Sequence, residues 1–436
     1  MAWDAGLDAT VDWEREFERW LTPFLEALGD RRRREWAPVY LRGLLGPGER
    51  KSIQPMAARV APDDYQQLHH FVACSHWDPA PLERVLATEA QRLVGGQGAV
   101  LIIDDTALLK RGTHSVGVAS QYAGCVGRLT NCQVLVSLTL ARGEVPVCVA
   151  LRLFLPERWS ADPARCEAAG VPAGWVAPHR TKPELALAEV DRLTAAGVTF
   201  DHVAADAAYG NIGAFRHGLT ARGFTWAVGI APGTQVYAAA VTLTSAPKPR
   251  RGPTSPRPVP VPPHVGAAAM LATARWHTVR WRAGTKGMLA GRFAVVRVRV
   301  ADGPADGNDD HLPGRLAWLV GEERSDGERR YYLTNHPADT PRRTLVRAVK
   351  ARWACEQAHQ QLKGELGLDH FEGRSWAGLH HHALLTMICL AFLQHLRLTP
   401  RGSPPPARGK KIRSPARPAA DALRAATAST TPGLPN

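Results

Sequence analysis

Ala99-Val-Leu-Ile-Ile-Asp-Asp-Thr106 is the stretch on which the fold turns: five apolar residues run into two aspartates and a threonine. A short apolar run that stops at a carboxylate and a polar turn reads as a buried strand delivering an acid to a sheet edge. A second run of this kind is Asp201-His-Val-Ala-Ala-Asp206, followed by Ala-Ala-Tyr-Gly210. Each aspartate taken singly is more ordinary as a turn or helix cap. For Asp104-Asp105 a competing reading is the metal-binding strand of a P-loop ATPase, which needs G-x-x-x-x-G-K-[ST] elsewhere. The nearest stretch, Gly46-Pro-Gly-Glu-Arg-Lys-Ser52, lacks the second glycine before its lysine, and that reading is set aside.

The order of elements between the two acids decides the architecture. After residues 99–105 come three further β-rich runs, Val116–Ala123, Gln133–Ala141 and Val147–Leu155. A helix pattern over Lys182–Ala196 follows, opened by Thr181-Lys-Pro and closed near Gly197. Next come the Asp206 strand, a short helix around Ile212–Arg222 and a strand at Thr225–Ile230. This is the succession of an RNase H-like core, in which the first strand lies beside the one bearing the second acid. Asp104 and Asp206 are thus predicted to be neighbours across about a hundred residues of sequence.

A third acid lies near the C-terminus, in Arg352-Trp-Ala-Cys-Glu-Gln-Ala-His-Gln-Gln-Leu-Lys363. At 3.6 residues per turn, Arg352, Glu356, His359 and Lys363 fall within about 60° of one another. A carboxylate between two cations on one helix face suits a place where a metal ion and phosphate oxygens meet. The plainer alternative is a charged face of i,i+4 pairs, each worth a few tenths of a kcal/mol.

Taken together, Asp104-x-Thr106, Asp206 with Tyr209-Gly210, and Arg352-x3-Glu356-x6-Lys363 resemble the signatures of DDE transposases from bacterial insertion sequences. The branch it is most similar to carries its glutamate in a Tyr-x2-Arg-x3-Glu-x6-Lys motif; the Tyr position is Val349 here. Supporting phrases are Lys110-x3-His114-Ser-Val-Gly-Val, Asn131-Cys-Gln133, Leu155-Pro-Glu-Arg-Trp159, Thr181-Lys-Pro-Glu-Leu-Ala186 and Gly367-Leu-Asp-His370 with Arg374-Ser-Trp376. The resemblance covers roughly residues 40 to 395. It implies that Asp104, Asp206 and Glu356 are the catalytic acids and hold two Mg²⁺ ions, with Mn²⁺ as a substitute. It also implies that Arg352 and Lys363 hold DNA phosphates. The implied reaction cleaves DNA at the element ends and joins the 3′-hydroxyls to a target, with a homodimer bringing two ends together. Such in-line displacement at phosphorus is served by paired hard cations about 3.5–4 Å apart, held by carboxylates. Asp104 is preferred to Asp105 as ligand because it occupies the Asp-x-Thr position; Asp105 points to the other face of the strand, where it would cap a turn. The alternatives are a nuclease of the same fold that does not transpose, and a non-catalytic repressor that only binds element ends.

Composition agrees. A net charge of +14 and a pI near 9.8 fit a polyanionic partner. The seven cysteines have no C-x-x-C spacing, which suits a reducing cytoplasm beside the nucleoid. No signal peptide is visible, and the apolar run Ala383–Leu393, interrupted by Thr386, reads as a core helix too short to span a membrane. His380-His-His382 cannot share one helix face, which disfavours metal binding there.

The predicted fold is α/β: an RNase H-like mixed-sheet catalytic core with a β-rich insertion and an N-terminal helical domain. Residues 1–95 read as helical and DNA-end-binding, with a stripe of Trp13, Phe17, Trp20, Leu21, Phe24, Leu25 and Leu28 and then the run Arg31–Arg34 as a candidate phosphate contact. The core occupies 96–232 and resumes, with the Glu356 helix, at 336–398. Residues 233–335 form the insertion, which includes the Pro-rich linker Ala246–Pro263 and carries Trp276 and Trp281, candidates for stacking on unpaired bases though more ordinary as packing residues. Residues 399–436, rich in Pro, Ala and Arg, form a basic disordered tail.

Overall fold

The structure, a computed structural model, describes residues 13–245, 258–284, 287–305 and 311–399. The basic tail from 400 onward and most of the Pro-rich linker lie outside the described residues. The aromatic stripe forms α1 (Trp13–Leu28) and buries Phe17, Trp20, Leu21, Phe24 and Leu28. Asp30 caps α2 (Arg31–Leu45) by accepting from the Arg33 amide at 3.1 Å, so the arginine run opens the helix with Arg31, Arg32 and Arg34 exposed. α3 (Ile53–Val60), α4 (Tyr65–His69), a π-helical turn at His70–Cys74 and α5 (Ala80–Val94) follow.

The sheet begins with β1 (Ala99–Leu109), β2 (Ala119–Ala123), β3 (Arg128–Arg142) and β4 (Val145–Leu153). β3 is the hub: it pairs β1 on one side and β2 and β4 on the other, all antiparallel. Short helices α6 (Glu157–Ser160), α7 (Pro163–Ala168) and α8 (Ala173–Val176) lead to α9 (Lys182–Ala195). A capping box fixes the start of α9: Thr181 Oγ1 accepts from the Glu184 amide while Glu184 accepts from the Thr181 amide. β5 (His202–Ala205), α10 (Ala207–Gly210), α11 (Gly213–Ala221) and β6 (Trp226–Ile230) come next, with β1, β5 and β6 mutually parallel. The order β4-β3-β1-β5-β6 is the RNase H-like arrangement read from the sequence.

The β-rich segment contributes β7 (Gln235–Ala238), β8 (Thr242–Ser245), β9 (Pro258–Val261), β10 (Val265–Gly266), α12 (Ala267–Ala272), β11 (His277–Gly284), β12 (Gly287–Val300), β13 (Leu316–Glu323) and β14 (Arg329–Thr334). It does not stand apart as its own sheet. β14 pairs antiparallel with β6, so one sheet runs β10-β7-β12-β13-β14-β6-β5-β1-β3 without interruption. β6 would otherwise present an open edge of unpaired backbone groups, and β14 satisfies it. Trp281 is buried against Phe293 and Lys350, and Arg329 covers the Trp276 ring at 4.9 Å, so both tryptophans serve packing here.

The chain ends its described course with α13 (Arg342–Lys350), α14 (Trp353–Gly364), a 3-10 turn at Leu368–His370 and α15 (Trp376–Leu398). α15 is longer than the apolar run predicted, and by length and composition it is the one helix among the described residues able to cross a membrane. It is instead sheathed by protein: Phe392 packs edge-on against Phe17 at 5.1 Å, and α15 meets α2, α5 and β4. The N-terminal helices therefore share a core with the sheet. The three histidines of α15 point to three different partners. His380 Nδ1 bonds Trp376 O at 2.9 Å, His381 lies between the carbonyls of Val72 and Trp77, and His382 joins Tyr40 Oη to Gly367 O. Burial drives His380 and His382 down to about 4.

A buried ionic cluster ties α5, β4 and α9 together. Arg152 meets Glu83 at 2.5 Å and Glu189 at 2.7 Å, and Arg192 meets Glu189 at 2.8 Å. Burial pushes the Glu83 carboxyl up, but the hydrogen bond and charge of Arg152 outweigh it and leave it below its ordinary value. The stability Glu83 contributes is thus complete above its unfolded pKa and lost as pH falls through its folded pKa. Arg152→Leu leaves Glu189 its pair with Arg192 but strips buried Glu83 of its close partner, with Arg192 3.7 Å away, and is expected to cost about 3–5 kcal/mol at pH 7. The loss should shrink toward pH 4 as Glu83, left buried without Arg152, protonates. Urea unfolding at both pH values checks this, and a small, pH-independent loss would contradict it.

Candidate active site

The first acid does not end its strand. β1 continues past Asp104 to Leu109, with β3 pairing it throughout, from Ala99↔Arg142 to Leu109↔Cys132. What stops is β5, at Ala205, which lies opposite Ile103. Asp104 and Asp206 are therefore adjacent in register, at the point where β1 loses its parallel neighbour. Asp206 becomes the N-cap of α10, its Oδ1 accepting from the amides of Ala208 at 3.0 Å and Tyr209 at 3.3 Å. Gly210 is required here, because a Cβ at that position would meet Gly229 O at 1.9 Å; only glycine lets α10 lie this close to β6.

Burial, and then the charge of Asp104, push Asp206 up to about 6. The pair carries negative charge that its surroundings do not fully offset.

The Arg352–Lys363 stretch read as a helix is α14, preceded by a separate helix, α13. α13 ends at Lys350, and α14 starts at Trp353, which leaves Arg352 at the N-cap position. Arg352 still reaches Glu356, at 2.7 Å, and with its other nitrogen meets Asp104 at 2.5 Å. It bridges two of the three acids. Glu356 is 60 % exposed, with Arg352 as its partner. Cys355 donates its thiol to Asp104 Oδ2 at 3.2 Å. Lys363 points inward, donating to Ala107 O of β1 at 2.8 Å, and burial lowers its pKa. His359 is half-buried and bonded to Ser137 at 2.7 Å, on the inner edge of the helix face that carries Glu356.

Asp105 does face away from Asp104, but it caps no turn, because the strand carries on through it. It accepts from Tyr209 Oη at 2.6 Å and pairs with Lys182 at 2.6 Å, which ties the starts of α9 and α10 to β1. The motif phrases around the site are largely bracing. Asn131 Nδ2 donates to Lys110 O and Gly112 O, Gln133 Nε2 to Val116 O, and Trp159 Nε1 to Val118 O. Val349, at the motif's Tyr position, is buried.

An all-carboxylate donor set suits a hard divalent cation. Asp104 and Asp206 fit such an ion, being adjacent and short of positive charge. Among the described residues no three of His, Cys, Asp or Glu are grouped closely enough to hold a metal, because Glu356 is linked to the pair through Arg352.

The profile of the DDE superfamily endonucleases matches residues 23–288, well over half of the chain. The chain belongs to the DDE superfamily of endonucleases. The match includes Asp104 and Asp206 and stops before Glu356, which rests on its motif and its geometry. The chain is also similar to a protein of Microchaete diplosiphon described as a probable transposase for insertion sequence element IS701, 29% identical over 172 residues. That stretch is 39% of this chain and 42% of the relative, so the match spans less than half of the relative's length. Among solved structures, a piggyBac transposase synaptic complex with hairpin DNA is similar at a TM-score of 0.43 and 10% identity, over 90% of this chain and 69% of that one. So loose a likeness adds nothing to the topology above.

For this DDE endonuclease the raised pKa of Asp206 has a consequence for stability. A carboxyl whose folded pKa exceeds its unfolded value stabilises fully below the unfolded pKa, and that contribution is lost as pH rises through about 6. Asp206→Asn keeps the cap and removes the charge. In metal-free buffer it is expected to stabilise by on the order of 2 kcal/mol at pH 8 and by almost nothing at pH 4. Thermal melts at the two pH values measure this; equal effects at both would show that Asp206 is not burdened by its charge.

Proposed function

We propose that this DDE endonuclease is an insertion-sequence transposase that cuts DNA at its element's ends and joins the freed 3′-hydroxyls to target DNA. The observation that carries the reading is the register of β1 against β5, which sets Asp104 beside Asp206 on the side of the sheet that α14 covers with Glu356. Asp104 and Asp206, completed by Glu356, would hold Mg²⁺, or Mn²⁺ in its place, as a pair of ions that neutralises charge on the attacking and leaving oxygens at phosphorus. Arg352 serves as the counter-ion of the acids in the free protein. Once a cation sits between them, its guanidinium turns to the DNA phosphate, where a bidentate contact suits it. Lys363 adds positive potential from below and reaches phosphate only by releasing Ala107 O. The exposed arginines that open α2 supply sequence-independent contact with flanking DNA. Two ends must be brought together, so the working form is a homodimer on DNA.

The test is to incubate the purified protein with its own element ends and Mg²⁺, map the nicks, and add a supercoiled target to trap joined products. Asp104→Ala, Asp206→Ala and Glu356→Ala are each expected to abolish nicking and joining while retaining gel-shift binding. Arg352→Ala should slow cutting about ten- to a hundredfold, the loss of a charge-assisted contact. Asp105→Asn should keep measurable activity. Nicks without joining would identify a nuclease that does not transpose. Full activity in Glu356→Ala would remove the third acid from the reading.

A further inference from the structure

Glu356 can serve beside Asp104 only if α14 holds a fixed height and rotation over β1. Apolar packing anchors the middle and far turns of α14, where Ala358 and Leu362 are fully buried in the main core, but is less suited to fix the helix beside the acids. Where α14 crosses the sheet near the acids, the buried contact is made by Ala354 and Cys355 on Ile102, Ala141 and Ala204, which are mostly small side chains. Such a surface is smooth, and a helix can slide or roll on it with little change in buried area. The directional contact here is polar. Ser137 of β3 lies directly opposite Asp104 in the β1–β3 register. Its Oγ donates to Asp104 O at 3.0 Å and lies 2.7 Å from His359 Nε2. A serine hydroxyl has one proton, and that proton goes to the carbonyl. His359 must therefore be the donor, as the neutral tautomer protonated at Nε2. His359 follows Glu356 by three residues, so the two side chains leave α14 within about 60° of each other and about 4.5 Å apart along the axis.

We propose that Ser137 and His359 are positioning residues for the DDE reaction: a hydrogen-bonded latch from the main chain of Asp104 to the helix of Glu356 that sets the separation of these two acids. The inference rests on the function proposed above. The ring touches no reacting atom and exchanges no proton in the reaction. Burial drives His359 down to about 4, which keeps it a neutral donor at neutral pH. Lys363, donating to Ala107 O one turn further along α14, is a second tie to the same strand. It restrains the far end of the helix; beside Glu356 the Cys355 thiol and the Arg352 guanidinium hold the Asp104 side chain, and the latch adds the tie to its main chain.

The experiment compares Ser137→Ala, His359→Leu and His359→Gln with wild type in the full chain. Amide hydrogen exchange over residues 353–364 is measured without metal or DNA, alongside nicking of an end-containing duplex across a Mg²⁺ titration. For Ser137→Ala and His359→Leu, exchange in α14 should rise about tenfold or more while β1 and α9 are unchanged. Their kcat should fall and their Mg²⁺ requirement rise, each about ten- to a hundredfold, as for groups that orient metal ligands from behind. KM for DNA should hold. His359→Gln, which keeps a donor, should recover most of both effects. Unchanged exchange in α14, or wild-type kcat and Mg²⁺ dependence in Ser137→Ala, would overturn the latch. So would a loss in His359→Gln equal to that in His359→Leu. If wild type itself does not cut, the proposed function fails, while hydrogen exchange still decides whether the latch holds the helix.

Discussion

Four residue pairs between two parallel strands, Val100↔His202 to Ile103↔Ala205, hold the site together. They bring two aspartates, distant in sequence, into register. Because β5 ends at the last of these pairs, Asp104 has β3 on one side only and Asp206 has left its strand. A slip of one residue would move Asp104 and Asp105 to each other's faces, since side chains alternate along a strand. The flanking chemistry opposes such a slip from both sides. Asp105 is claimed by Lys182 and Tyr209 on one face, and Asp104 by Arg352 and Cys355 on the other. The adjacent aspartates are thus not interchangeable: Asp105 anchors the starts of two helices, and Asp104 faces Arg352 and Asp206.

The arrangement is electrostatically unfinished. Arg352 offsets part of the negative charge gathered by Asp104 and Glu356, while Asp206 remains above its ordinary pKa. A site balanced in this way has room for more positive charge without unfolding its neighbours, since the ligand side chains hang from strand and helix backbones that are already satisfied. At Asp206 stability favours the neutral carboxyl, and carboxyls perturbed in this way mark candidate functional sites.

What could be read from the sequence follows from what is local. The α1 stripe, the Thr181 cap of α9, the strand-helix alternation and the neighbouring aspartates all rest on short-range patterns or on the order of elements, and the structure keeps them. The partners of those residues were hidden, because partnership across a sheet depends on register. Nothing in the spacing of Ser137 marks it as the residue opposite Asp104. No local signal says that β14 closes onto β6, or that Lys363 turns inward to a carbonyl instead of outward to solvent. The helix over Arg352–Lys363 and its i,i+4 contact from Arg352 to Glu356 were legible, because both are local. Asp105 was rightly turned away from Asp104, but its role was set by Lys182 and Tyr209, which the strand pattern could not reveal.

The central burial of α15 bears on when, during synthesis, the protein can begin to work. The helix is the last one described, yet it fills the middle of the core shared by the first helices and the sheet, and its histidines bond to main chain or side chain in α2, the turn after α4 and β4. A nascent chain that has made only the two aspartates has neither its third acid nor the apolar wall against which its N-terminal helices pack. Domains generally fold as units as the chain emerges, but here the unit closes late. A ribosome-bound or prematurely terminated chain would carry the first two acids on an incomplete scaffold, and the third joins them only after nearly all of the described length has been made.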